Sequence, residues 1–177
     1  MKKYFLTTER LGFRFWTPED LPLAIDLWGN PEVTRLFAKE PFTDAQVSER
    51  LDREIENARL YGIQYWPVFM LEHDRYVGCC GLRPYQADRK TYELGYHLLP
   101  DSWGRGIATE AAREVINYAF SVLRVQSLCA GHHPDNHTSG RVLIKLGFTR
   151  IGETFYKPTG LNHPDYLLEN FLTASEE

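Results

Sequence analysis

Cysteine is scarce in this 177-residue chain: Cys79, Cys80 and Cys129, an odd number with two adjacent. That excludes a disulfide framework as the organising element and fits a reducing, cytoplasmic setting. Long apolar runs are also missing. Stretches such as Ile63 to Leu71 are interrupted and far short of the roughly 20 residues a membrane span needs, so no membrane partner is expected. The basic start, Met1 to Leu6, meets Glu9 and Arg10 before any apolar segment of signal-peptide length can develop. Positive charge is not in excess: 20 Lys and Arg against 24 Asp and Glu give a net charge of −4. A broad basic footprint for direct nucleic-acid binding is thereby excluded. No repeat of 20–50 residues and no low-complexity linker appears.

What is present is a chain of ordinary globular composition, 43% hydrophobic and 25% charged, of a length that suits one domain spanning 1–177. Leu11 to Trp16 alternates like a strand. Thr17-Pro18-Glu19-Asp20 then starts a helix, with a capping hydroxyl and a proline where no hydrogen bond is lost, that runs to Trp28 and stops before Asn30-Pro31. Thr43-Asp44-Ala45-Gln46 is a capping-box start, followed by Val47, Leu51, Ile55 and Ala58 at helical spacing. Strands are predicted over Gln64 to Met70, Tyr76 to Leu82 and Thr91 to Leu99. Ile107 to Phe120 is a helix with a broad apolar face, Val125 to Ala130 a strand and Thr138 to Leu146 a helix closed by Gly147. Phe148 to Phe155 and Tyr166 to Leu172 form a last antiparallel pair. This order predicts a mixed sheet flanked by helices, an α/β or α+β domain.

The sharpest local feature is Trp103-Gly104-Arg105-Gly106-Ile107-Ala108-Thr109, which follows a strand and opens a helix. Two near-adjacent glycines allow backbone conformations closed to other residues. Their N–H groups and the free donors of the first helical turn make a pyrophosphate-sized anion site, with Arg105 beside it. A tight strand-to-helix turn without a ligand accounts for the glycines equally well. No Walker loop is present, and the dinucleotide fingerprint fails because Thr109 stands where its third glycine belongs.

These motifs fall in a specific order along nearly the whole chain. Thr8-Glu9-Arg10-Leu11 comes first, then Tyr76-Val77-Gly78-Cys79-Cys80-Gly81-Leu82 and Tyr92-Glu93-Leu94-Gly95-Tyr96-His97-Leu98. The glycine turn follows, and Asn136-His137-Thr138-Ser139 leads into Val142 to Phe148. The series resembles the GNAT-superfamily N-acetyltransferases, and within them the RimJ/RimL-like ribosomal-protein branch. The resemblance implies a GNAT domain whose mostly antiparallel sheet has about seven strands and about four helices. Of the family signature Gln/Arg-x-x-Gly-x-Gly/Ala, Gly106 and Ala108 match, while Trp103 fills the first position, as is common in that branch. It further implies that acetyl-CoA is the donor, that the turn from Trp103 to Thr109 holds its pyrophosphate, and that the backbone at Leu98 and Leu99 bonds the pantetheine arm. Asn136 is then placed in the cofactor region, and Ser139 as proton donor to the departing thiol. Asn136 and Ser139 are also ordinary helix caps.

An amine attacks a thioester only when neutral, so a base must take a proton from it. Glu93 is the candidate, since its strand runs beside the expected thioester, and period-2 alternation sets Glu93, Gly95 and His97 on one face. His97 reads more simply as a hydrogen-bonded sheet histidine than as a relay. Tyr156 and Tyr166 are further phenols for thiol protonation. Cys129, His132, His133 and His137 match no common zinc spacing, so no metal is expected and these residues read as cleft lining. The acceptor would be chosen by the first two helices, Gln64 to Met70 and the final hairpin. A protein N-terminal amine is the leading expectation and a small amine such as a polyamine, amino acid analogue or antibiotic the alternative. A non-catalytic acetyl-CoA sensor is a reading of another class. A monomer or homodimer is expected.

Overall fold

The computed structural model describes residues 3–86 and 91–170. Eight strands form one sheet in the order β1-β2-β3-β4-β5-β6-β8-β7. They are β1 (Leu6–Thr7), β2 (Leu11–Phe13), β3 (Tyr65–Met70), β4 (Arg75–Gln86), β5 (Thr91–Leu98), β6 (Ser127–Gly131), β7 (Thr149–Tyr156) and β8 (Leu161–Glu169). Five α-helices flank them: α1 (Leu21–Trp28), α2 (Pro31–Thr34), α3 (Asp44–Tyr61), α4 (Ile107–Ser121) and α5 (His137–Lys145). The architecture is α+β as expected, with one more strand and one more helix than the sequence suggested.

The added helix, α2, begins where α1 was expected to stop. Asn30 caps it by accepting the Glu32 N–H at 2.9 Å, and Pro31 takes the first turn, where its missing donor costs nothing. The strand expected over Leu11 to Trp16 ends at Phe13. Beyond it the Trp16 backbone N–H turns to the Gln64 side chain at 2.8 Å and its indole N–H to the Tyr65 carbonyl at 2.6 Å. The last strand begins at Leu161, five residues before the expected Tyr166. Pro164 interrupts the run; it pairs with Glu153 of β7 and lies beyond Gly131↔Asp165, the last β6–β8 pair, on the stretch where β8 has a paired neighbour on one side alone. Leu172 lies outside the described residues.

The sheet divides the core in two. Leu94 and Leu98 of β5 pack on Ala111, Ala112, Val115 and Ala119 of α4. On the other face Tyr65 and Cys79 pack on Ala24, Leu27 and Trp28 of α1 and on Val47 and Leu51 of α3. The capping box of α3 forms as its sequence requires, Thr43 and Gln46 exchanging bonds, and Gly62 closes the helix at φ 71°.

One pairing creates the functional space. All neighbours are antiparallel except β5 and β6, which run parallel from Thr91↔Ser127 to Glu93↔Cys129 and then part. Leu99 donates to the Val77 carbonyl at 3.0 Å. By alternation the backbone groups of Tyr96 and Leu98 point the other way, into the gap.

Candidate active site

The gap widens into a cleft of about 1410 Å³. Its lining includes Glu93, Leu98, Trp103, Gly104, Gly106 and Asn136, together with Ile107, Ala108, Thr109 and Ser139. Ten of the twelve residues singled out from the sequence therefore share one space. Leu99 and Arg105 do not line it. Leu99 is engaged with Val77 and, through its carbonyl, with the Ser102 N–H at 2.9 Å. The Arg105 side chain faces a separate small hollow with Arg10, Glu72 and His73.

At one end stands the glycine turn. Gly104 and Gly106 have φ of 71° and 74°, the left-handed region that favours glycine. Gly106 precedes α4, whose first turn, at Ile107, Ala108 and Thr109, opens onto the cleft. Those unsatisfied N–H groups carry the helix's partial positive charge. Trp103 donates its indole N–H to the Leu98 carbonyl at 2.8 Å. The residue in the signature's usual polar position thus ties the turn to the end of β5.

A clamp from the N-terminal segment holds the turn, and the sequence reading did not anticipate it. Glu110, in the first turn of α4, accepts from Thr8 Oγ1 at 2.5 Å, from the Arg10 N–H at 3.1 Å and from Arg10 Nε at 2.7 Å. Arg10 also donates through both terminal nitrogens to the Arg105 carbonyl at 3.3 Å. Burial alone would raise the Glu110 carboxyl, but the Thr8 and Arg10 hydrogen bonds outweigh it and hold the group below its ordinary range.

Across the cleft lies the face of β5 that carries Glu93, Gly95 and His97. Tyr65, 2% exposed, donates its phenol proton to Glu93 Oε1 at 2.5 Å. The other Glu93 oxygen has no hydrogen bond among the described residues. Burial first, then the Glu93 charge, raises the Tyr65 phenol well above its ordinary range, so it stays a donor. Its position is fixed from behind: its backbone N–H bonds Glu54 Oε2 at 2.8 Å, Glu54 pairs with Arg83, and the Arg83 guanidinium lies 4.1 Å from the Tyr65 ring centroid. His97 is the sheet histidine expected. Its Nδ1 accepts the Trp28 indole N–H at 3.3 Å. Burial, with Arg50 and Arg83 nearby, holds it well below the usual histidine range, hence neutral.

Two hydroxyls meet on the α4 side of β5. Ser139 Oγ lies 2.8 Å from Tyr96 Oη, and Asn136 caps α5 by accepting the Ser139 N–H at 3.2 Å. Tyr96, rather than Tyr156 or Tyr166, is the phenol beside Ser139. Tyr166 lies 3.2 Å from His132 Nε2, and Tyr156 stacks near His163. Burial raises the Tyr96 phenol, and the Ser139 bond offsets only part of that.

The first turn of α4 thus opens onto the same cleft as the Glu93 carboxylate, where β5 and β6 part, as the resemblance to N-acetyltransferases implied. Comparison with known proteins agrees: the profile of the acetyltransferase (GNAT) domain matches residues 10–149. This chain belongs to the GNAT acetyltransferase family, whose acetyl donor is acetyl-CoA. Over 148 residues it is 32% identical to an uncharacterized N-acetyltransferase, p20, of Bacillus licheniformis, with 83% of each chain covered. A GNAT-family acetyltransferase of Bacillus anthracis superposes with a TM-score of 0.81 at 22% identity, covering 93% of this chain and 98% of that one. RimL, a ribosomal L7/L12 α-N-protein acetyltransferase in complex with coenzyme A, gives 0.78 at 14% identity over 92% and 95%. The last two likenesses are of fold. No helix among the described residues is long and apolar enough to cross a membrane.

Proposed function

We propose that this chain moves the acetyl group of acetyl-CoA directly to a primary amine in a ternary complex, with Glu93 as the base. The observation that carries this is the placement of Glu93, with one oxygen held by Tyr65 and the other unengaged among the described residues, on the wall of the same cleft onto which the first turn of α4 opens. The pyrophosphate would lie on the N–H groups from Gly104 to Thr109, and the pantetheine arm along the Tyr96 and Leu98 backbone edge. The amine nitrogen attacks the thioester carbonyl carbon. A C–N bond forms, the C–S bond breaks, the amine proton passes to Glu93 and the thiolate takes a proton from the Tyr96–Ser139 pair. The products are an N-acetyl amide and free CoA thiol. A peptide α-amine and a small amine satisfy this chemistry alike.

Glu93→Gln tests it, because glutamine can still accept the Tyr65 proton but cannot serve as base. Acetyl-CoA binding by calorimetry should be unchanged while turnover, read as CoA thiol release, falls at least tenfold. Wild-type turnover would remove Glu93 from the chemistry. Loss of acetyl-CoA binding would show that the carboxylate serves the donor site instead.

A further inference from the structure

Acetyl transfer leaves one half-buried cation of the cleft without a task. Arg50, on α3, lines the cleft, and its guanidinium carbon lies 4.6 Å from the Trp28 ring centroid, 5.2 Å from Phe37 and 5.9 Å from Phe42. Among the described residues no hydrogen bond or ion pair reaches it, and its Nε is fully buried. The carboxylates of this wall are engaged, Glu54 through both oxygens and Glu93 through one. Glu54 holds Arg83 with one oxygen and the Tyr65 N–H with the other, and Glu93 holds the Tyr65 phenol.

An arginine carries five N–H donors in a planar fork. Aromatic faces attract its charge, but they accept none of those protons in the plane of the fork. Half-buried and unpaired, such a group gains most from a carboxylate, the partner whose geometry matches its fork. The same aromatic box reaches the catalytic wall: the Phe37 ring lies 4.5 Å from that of His97, and the Tyr65 ring 5.8 Å from it. An unengaged guanidinium and an unengaged carboxylate oxygen thus border one space. That is the charge pattern of a zwitterion, reversed.

We propose that the acceptor is a small amine carrying a free carboxylate, an amino acid, whose carboxylate pairs with Arg50 while its amine faces Glu93. This rests on the acetyl-transfer reading of the same cleft, and the step is the one already balanced, yielding an N-acetylamino acid and CoA. A polyamine would set a second ammonium against Arg50, and a peptide N-terminus replaces the α-carboxylate with an amide. Both are disfavoured by the same unpaired cation. Arg35, exposed and also lining the cleft, adds charge of the same sign.

The test is calorimetric titration of the CoA-saturated protein with the L-α-amino acids, β-alanine and 4-aminobutyrate. Their carboxamides, spermidine and a tripeptide amide are the comparison arms. At least one carboxylate-bearing amine should bind, with its carboxamide at least tenfold weaker. Arg50→Gln should abolish that ratio without changing CoA affinity, and Arg50→Lys should keep part of it. Equal or tighter binding of carboxamides, spermidine or the peptide overturns the proposal. So does an unchanged ratio in Arg50→Gln, or no binding of any carboxylate-bearing amine to protein that binds CoA. Failure to bind CoA at all would instead strike the acetyl-transfer reading. The wild-type comparison of acid with amide stands even if the variants do not fold.

Discussion

Tyr65 reaches Glu93 only because residue 95 has no side chain. A Cβ on Gly95 would come within 2.1 Å of the Tyr65 hydroxyl oxygen and 2.3 Å of the ring carbon that bears it. The phenol therefore lies over the β5 backbone between Glu93 and His97, and its hydrogen bond to Glu93 follows from that position. Gly95→Ala should push the ring away and break the bond. Overpacking of this kind costs about 1–3 kcal/mol, read as a lowered Tm, and turnover should fall in parallel. Tyr65→Phe removes the hydroxyl oxygen with its bond, so Gly95→Ala on that background should cost less stability than alone. Full additivity of the two would show that the crowding is relieved elsewhere.

Gly106 should be intolerant for a different reason. A Cβ there would meet only Arg10 Nη2, at 3.8 Å, so space within the protein is not the obstacle. The obstacle is φ 74°, which a β-branched residue adopts only at a cost of about 1–3 kcal/mol. Gly106→Val should relax the turn and misalign the N–H groups that open α4. The expected result is acetyl-CoA binding weakened at least tenfold with Tm lowered only modestly. Wild-type affinity in the folded variant would refute the placement of the pyrophosphate.

Local chemistry carried far in this chain, and long-range partnership did not. The caps at Thr43 and the face shared by Glu93, Gly95 and His97 follow from spacing alone, since period and capping are written within a few residues. The clamp of Thr8 and Arg10 on Glu110 spans about a hundred residues, and its members read individually as surface polar groups. Tyr65 falls within a run that reads only as a strand, and Arg50 lies off the apolar stripe of Val47, Leu51, Ile55 and Ala58, so neither role is visible locally. Gly95 was the one local sign that something crosses β5, although which side chain crosses it depends on register with β3 through β4. Pro164 hid half of β8 because the position of a neighbouring strand's end cannot be read from a single segment.

His97 should make stability depend on pH on the acid side. Burial, with Arg50 and Arg83 adding repulsion, places its folded value well below the unfolded one near 6.5. The unfolded chain therefore binds more protons in that window, and stability rises with pH there. Its contribution is fully present above about pH 6.5 and is lost as pH falls towards the folded value, by up to about 1.4 kcal/mol per unit. His132 and His163 are lowered by burial as well, so they add to the slope. Urea titrations from pH 7.5 to 5 should show the slope in wild type and a smaller one in His97→Gln. An unchanged slope would mean that His97 titrates alike in the folded and unfolded chains.

The Tyr96–Ser139 pair should act as one unit on the departing thiol. Its two oxygens are 2.8 Å apart, and the raised phenol keeps Tyr96 protonated throughout the neutral range. Ser139→Ala and Tyr96→Phe should each lower kcat about a hundredfold, the lower end of the range for a general acid, with acetyl-CoA affinity little changed. If a proton passes along the pair, the double variant should be no slower than the worse single one, because either loss breaks the same path. Losses that multiply would assign the two hydroxyls separate duties, and two wild-type rates would leave the thiolate to be protonated by solvent.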